Sequence, residues 1–171
     1  FFELYLNGKR VGDDYLVPNL SNYTRREHLT DPSVALRLTD NFRAYRVLYM
    51  SYDVTSQLLN GQNALGVILG NGFYNPDKAI AGYYGRPCLL LQMEIVYENG
   101  TKQTVVSDGS WLTRPSAIKY NGIYQGELYD ASAETADWAS ASCSDNGWKP
   151  VRTVDGPVGV LTAQTSPGDK I

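Results

Sequence analysis

Histidine is nearly missing: His28 is the only one in 171 residues. That excludes a multi-histidine zinc site, and it excludes Ser-His-Asp and Cys-His catalysis unless His28 itself serves. His28 stands in the polar stretch TRREHLTDPS, which reads as a solvated loop. Cysteine is scarce too. Cys88 and Cys143 allow at most one disulfide, far from a disulfide framework; they read as two buried free thiols and leave the redox compartment open. Basic blocks are absent and the net charge is −3, so nothing points to nucleic acid or to an anionic membrane. No apolar run approaches the roughly 20 residues of a membrane span. The opening Phe1-Phe2-Glu3-Leu4-Tyr5-Leu6 lacks the basic n-region and the small-residue cleavage site of a signal peptide. It reads as a strand already under way, as in a fragment of something larger. Helical periodicity is also almost absent. One short candidate runs from Asp53, as cap, to Gly61, as stop, long enough for one or two turns; a weaker one lies at residues 31–36.

What the chain does have is turn chemistry. Asn-Gly occurs at 7–8, 60–61, 71–72, 99–100, 121–122 and 146–147, and Asp-Gly at 108–109 and 155–156. Asn-Gly supplies two residues that accept positive φ, as a type I′ hairpin turn requires. Around several of these pairs the sequence alternates. Leu89, Leu91, Met93, Ile95 and Tyr97 share one face, while Gln92, Glu94 and Glu98 share the other. Asn99-Gly100 then turns the chain into Lys102-Gln103-Thr104-Val105-Val106, a predicted hairpin. Phe2, Leu4 and Leu6 alternate likewise before Asn7-Gly8, with Lys9-Arg10-Val11 returning. Short strands punctuated by turns predict an all-β fold, an antiparallel β-sandwich, and the length suits one core. Residues 1–164 form this single domain, and the tail TAQTSPGDKI, residues 165–171 above all, reads as a linker towards a next domain.

One loop does not fit a plain turn. Between VILGNG and the strand at 89–97 the chain carries Phe73, Tyr74, Tyr83 and Tyr84. Either these rings fold back over the core or something flat binds there. Trp111, after SDGS, and Trp148, in DNGWKPV, are core residues by the resemblance that the segments quoted next carry; Trp138 fits core or ligand contact. The carboxylates Glu94, Glu98, Glu127, Asp130 and Asp137 fall on strand exteriors or in turns, with nothing to force two into the facing pair that acid–base hydrolysis needs.

Four segments carry a resemblance: ELYLNGKRVGDDYL; YRVLYMSYDVTSQLLNGQNALGVILGNGFY; GRPCLLLQMEIVYENGTKQTVVSDGSW; and IYQGELYDA with DNGWKPV. In this order, from about Glu3 to Gln164, they resemble the N-terminal β-sandwich domain of bacterial α-L-rhamnosidases, one of the galactose-binding-like jelly rolls. The chain departs from that pattern in four places. About twenty residues intervene between VPNLSNY and YRVLYMSYDVT, the 24–43 insertion; Gln125 stands where the family more often has Asp; Phe73 stands where it often has Trp; and one or two N-terminal strands are missing. The resemblance implies a non-catalytic accessory domain, the hydrolytic carboxylates lying on a separate (α/α) barrel. Two roles follow from it: binding carbohydrate, specifically rhamnose-containing glycans, or bracing the catalytic domain.

A pyranose offers an apolar C–H face and a hydroxyl edge, so a site wants a ring beside oriented polar groups. The candidates are Asn71, Phe73, Tyr74, Asn75, Tyr83 and Tyr84 in the loop, and Tyr124, Gln125 and Glu127 further on. Rhamnose-binding relatives carry a calcium ion, and candidate donors here are Asn71, Asp77, Asn121, Glu127 and Asp130. The implied partners are carbohydrate and the parent's catalytic domain. A strand edge left open by missing N-terminal strands would favour a homodimer.

Overall fold

Asn7 and Gly8 both sit at positive φ, 53° and 77°, the pair of conformations that a type I′ turn demands and that these residue types tolerate. In the computed structural model, which describes residues 1–21, 23, 46–76 and 84–170, this turn joins β1 (Phe2–Leu6) to β2 (Lys9–Arg10). Leu6 lies opposite Lys9, and Tyr5 opposite Arg10. The Asn7 side chain also holds the next connection. Its Nδ2 donates to the Gln57 carbonyl at 3.0 Å and to Asn63 Oδ1 at 2.8 Å, and its Oδ1 accepts from the Ala64 amide at 2.9 Å. The chain is thereby aligned for β4 (Leu65–Leu69), which pairs antiparallel with β1 from Phe2↔Leu69 to Leu6↔Leu65.

The two faces of this β2-β1-β4 sheet differ. Alternation sends Phe2, Leu4 and Leu6 to one side, where Leu6 is fully buried and Val11 and Val17 are buried with it. On the other side Tyr5 faces Gly66, and Trp138 lies over both: its ring centroid is 5.1 Å from that of Tyr5. A Cβ on Gly66 would stand 2.4 Å from the Trp138 ring. Trp138, open between core and ligand from sequence, is a core cover.

Tyr5 donates to Glu3 Oε2 at 2.8 Å. Burial first, and then Glu3, push its hydroxyl up to about 12 from an ordinary 10.0. A raised folded-state pKa means that the neutral phenol's contribution is complete below pH 10 and is lost as pH climbs through about 12. Urea midpoints should therefore fall between those limits, and fall less steeply in Tyr5→Phe.

The remaining strands form two-stranded ladders. β5 (Gln92–Val96) and β6 (Lys102–Val106) make the predicted hairpin, running from Gln92↔Val106 to Val96↔Lys102. Its turn is not the expected type I′. Gly100 alone is at positive φ, 81°, and its N–H donates to the Tyr97 carbonyl at 2.8 Å. Asn99 instead accepts from the Thr101 amide at 3.0 Å and hydroxyl at 2.7 Å, which keeps it in an ordinary conformation. β8 (Ile118–Gly122) pairs with β9 (Gly126–Tyr129), so Asn121-Gly122 lies inside a strand. β7 (Leu112–Thr113) pairs with β10 (Lys149–Pro150). The exception to antiparallel pairing is β11 (Val160–Ala163), which runs parallel to β3 (Arg46–Tyr49). The whole is a β-sandwich. No helix among the described residues is long and apolar enough to cross a membrane.

Several local expectations are corrected. The first helix candidate is a single 3₁₀ turn, Thr55–Gln57, with Asp53 accepting from the Thr55 amide at 2.9 Å. Both cysteines are free, as read, but Cys88 is exposed and Cys143 half-exposed, and both stand in connections between strands. Trp111 and Trp148 are half-buried covers and not core; Trp111 Nε1 donates to the Val106 carbonyl at 2.9 Å and Arg114 sits 5.7 Å over the Trp148 ring. His28, the candidate helix at 31–36 and the 24–43 insertion lie outside the described residues.

Residues 164–170 are fastened to the segment that follows β2. Asn19 donates its backbone N–H to Gln164 Oε1 at 2.7 Å and its Nδ2 to Ser166 Oγ at 2.8 Å. The Tyr15 N–H donates to the Asp169 carbonyl at 2.7 Å, and Lys170 Nζ meets both Asp13 oxygens at 2.7 and 2.8 Å. Their mutual hydrogen bond lowers the Asp13 carboxyl and raises the Lys170 ammonium.

Candidate functional site

At the end of β4 the backbone turns away at Gly70, whose N–H donates to the Phe1 carbonyl at 2.9 Å. Asn71 then reaches across to β8. Its backbone N–H donates to Asn121 Oδ1 at 2.7 Å, and its Nδ2 to the Asn121 carbonyl at 2.9 Å. Asn75 Nδ2 donates to Asn71 Oδ1 at 2.7 Å. The two candidate segments thus meet at one end of the sandwich. What joins them is the polar groups that sequence reading offered to a ligand, and Asn71, Asn75 and Asn121 are engaged with one another.

The rings divide into two groups. Tyr74 stacks on Tyr84, centroids 5.4 Å apart and planes at 27°, and Tyr23 stands edge-on to both at 5.0 and 5.3 Å. Burial raises the Tyr74 hydroxyl. This cluster closes the loop on itself. Beside it, Phe1, Pro18, Leu20, Tyr23, Phe73 and Tyr74 line a cleft of about 30 Å³, room for roughly two waters and not for a pyranose ring.

The second group faces outward. Phe73 stands edge-on to Phe1 and to Tyr124, with both centroid distances 6.3 Å, and the Tyr124 side is open: that residue is 70% exposed. Gln125 and Glu127, both exposed, follow it around the turn into β9. Among the described residues neither side chain makes a hydrogen bond, so an amide and a carboxylate stand uncommitted in the turn and strand that follow the open ring. Tyr83 and Asp77 lie outside the described residues.

Three of the four described calcium-donor candidates already accept hydrogen bonds within the chain. Asn71 and Asn121 have their side-chain oxygens occupied. Asp130 caps the 3₁₀ turn Ala131–Ala133, accepting from the Ser132 amide at 3.0 Å and hydroxyl at 2.6 Å, and these bonds lower its carboxyl. No group of three acids, histidines or cysteines that could hold a metal occurs among the described residues. Of the carboxylates weighed for catalysis, Glu94 accepts from Gln92 at 2.9 Å on an exposed strand face. Phe1 and Tyr23 were missed as partners of this site, and nothing local to FFELYL or SNYTRR could have pointed to them.

The chain is 33% identical over 178 residues to an alpha-L-rhamnosidase of Formosa agariphila, covering 99% of this chain and 17% of that relative. It superposes on the structure of alpha-L-rhamnosidase from Dictyoglumus thermophilum with a TM-score of 0.78 at 34% identity, over 97% of this chain and 16% of that one. The crystal structure of Streptomyces avermitilis alpha-L-rhamnosidase complexed with L-rhamnose gives 0.76 at 34% identity, over 94% and 14%. The chain therefore spans about a sixth of the length of the relatives it matches. The sequence model described as Alpha-L-rhamnosidase N-terminal domain matches residues 34–171, most of the chain, and with a β-sandwich that superposes on rhamnosidases nearly end to end, this chain belongs to the α-L-rhamnosidase N-terminal domain family.

Proposed function

We propose that this domain is a non-catalytic accessory domain of an α-L-rhamnosidase and that it binds rhamnose-containing glycans on an open platform centred on Tyr124. The observation that carries this reading is the Tyr124 ring, exposed and backed edge-on by Phe73, with Gln125 and Glu127 uncommitted in the turn and strand that follow it. A ring fixed from behind can take the apolar face of a 6-deoxy sugar with little further ordering, while the amide and carboxylate receive its hydroxyls. An open platform and one sugar unit imply weak binding, on the order of millimolar. Calorimetric titration with L-rhamnose tests it. Heat should be released, and Tyr124→Ala should weaken binding by roughly tenfold or more. No heat at tens of millimolar, or equal heat in the variant, would remove the platform. Repeating the titration with calcium and then with chelator tests the cation separately.

A second reading has its own support. The strands of a finished domain are ordinarily covered on at least one face, yet all four residues of β9 are exposed, and Leu90, Val96 and Leu128 are each open to solvent by more than half. Surface of that kind suits a domain that braces another.

A further inference from the structure

Residues 152–161 are exposed without exception, although they include Val154, Val158, Val160 and Leu161, at 59%, 67%, 61% and 50%. The stretch ends in β11, which pairs only with β3 among the described residues. Successive strand side chains point to opposite faces. Val160 and Leu161 therefore leave both sides of the ribbon apolar and open, where an ordinary surface strand has one side covered. Such a ribbon is shaped to be enclosed. What comes after it is held in place: Gln164, Ser166, Asp169 and Lys170 are fastened to Asn19, Tyr15 and Asp13.

We propose that the ribbon at 154–161 is the docking element for the polypeptide that follows this domain in the same protein. The occupant is identified by two facts. The matched family is an N-terminal domain whose relatives are about six times as long, so most of such a protein lies downstream. The clasp at residues 164–170 starts directly after the ribbon, and it brings the downstream chain off on a fixed course instead of through a slack linker. The inference rests on the accessory-domain reading and is independent of the sugar platform.

Thiol accessibility in the full-length protein tests it. Val158→Cys and Leu161→Cys are compared with Lys102→Cys on the exposed, polar side of β6, and alkylation is followed peptide by peptide. Cover by the downstream chain should slow modification at 158 and 161 by roughly tenfold or more relative to 102. Equal rates at the three positions overturn the proposal. Protection that disappears on dilution also overturns it, because the cover is then a second copy. Hydroxyl-radical footprinting of the unsubstituted protein reads the same contrast should a variant fail to fold; oxidation of Val158 and Leu161 equal to that of the 102 peptide counts against the ribbon. Absence of L-rhamnose heat would remove the platform and leave these rates unchanged.

Discussion

Gly66→Val is expected to lower the free energy of unfolding by about 2–3 kcal/mol, seen as an earlier urea midpoint with an unchanged slope. The reason is steric and two-sided. A Cβ at position 66 would lie 2.4 Å from the Trp138 ring and 2.8 Å from Ala139 Cβ. Neither neighbour can yield easily. The indole is held edge-on by Tyr5, and buried Ala139 is tied to the first hairpin through the Gly8 N–H, which donates to the Ala139 carbonyl at 2.9 Å. Combining Gly66→Val with Trp138→Ala makes room for the new methyls, so the two effects should fall well short of adding. Full additivity, or a loss below about 0.5 kcal/mol in the single variant, would show that Trp138 does not cover this sheet.

Asn121→Ala is the second large effect, about 2 kcal/mol. The substitution leaves the part-buried Asn71 amide without its acceptor and withdraws the side chain that holds the 70–76 loop to β8. Asn121→Asp keeps an acceptor and should lose less. The alanine variant should also weaken L-rhamnose binding, because Phe73 on one segment and Tyr124 on the other face each other only while this link holds. A variant that loses stability but keeps full affinity would separate the link from the platform.

Both variants concern places where local pattern was a poor guide. The 92–106 hairpin was legible because alternation and a glycine turn act over neighbouring residues, and Asn7-Gly8 was legible for the same reason. The identical dipeptide at 99–100 takes another turn because Thr101 offers Asn99 two donors, and at 121–122 it lies in a strand because Glu127 and Gly126 pair with it. Among the site residues, sequence could bring the loop and the 120–127 segment together. It could not distinguish an asparagine that waits for a ligand from one that binds another asparagine fifty residues away, since both look equally polar. The exposed cysteines and half-covered tryptophans failed for a related reason: a residue's type records its preference for burial, while the covering layer is supplied elsewhere in the chain.

The parallel pairing of β3 with β11 sets an order of events during synthesis. β1 and β4 lie within the first seventy residues and can join as soon as those have left the ribosome. β3 is made before β4, yet its partner is more than a hundred residues further on. At the usual pace of translation that interval is on the order of ten seconds. For that time Arg46–Tyr49, with Val47 destined for the core, waits for its only strand partner among the described residues while the first sheet is already complete. β3 is therefore the stretch most exposed to chaperones and to mispairing during synthesis, until β11 emerges and ends its wait.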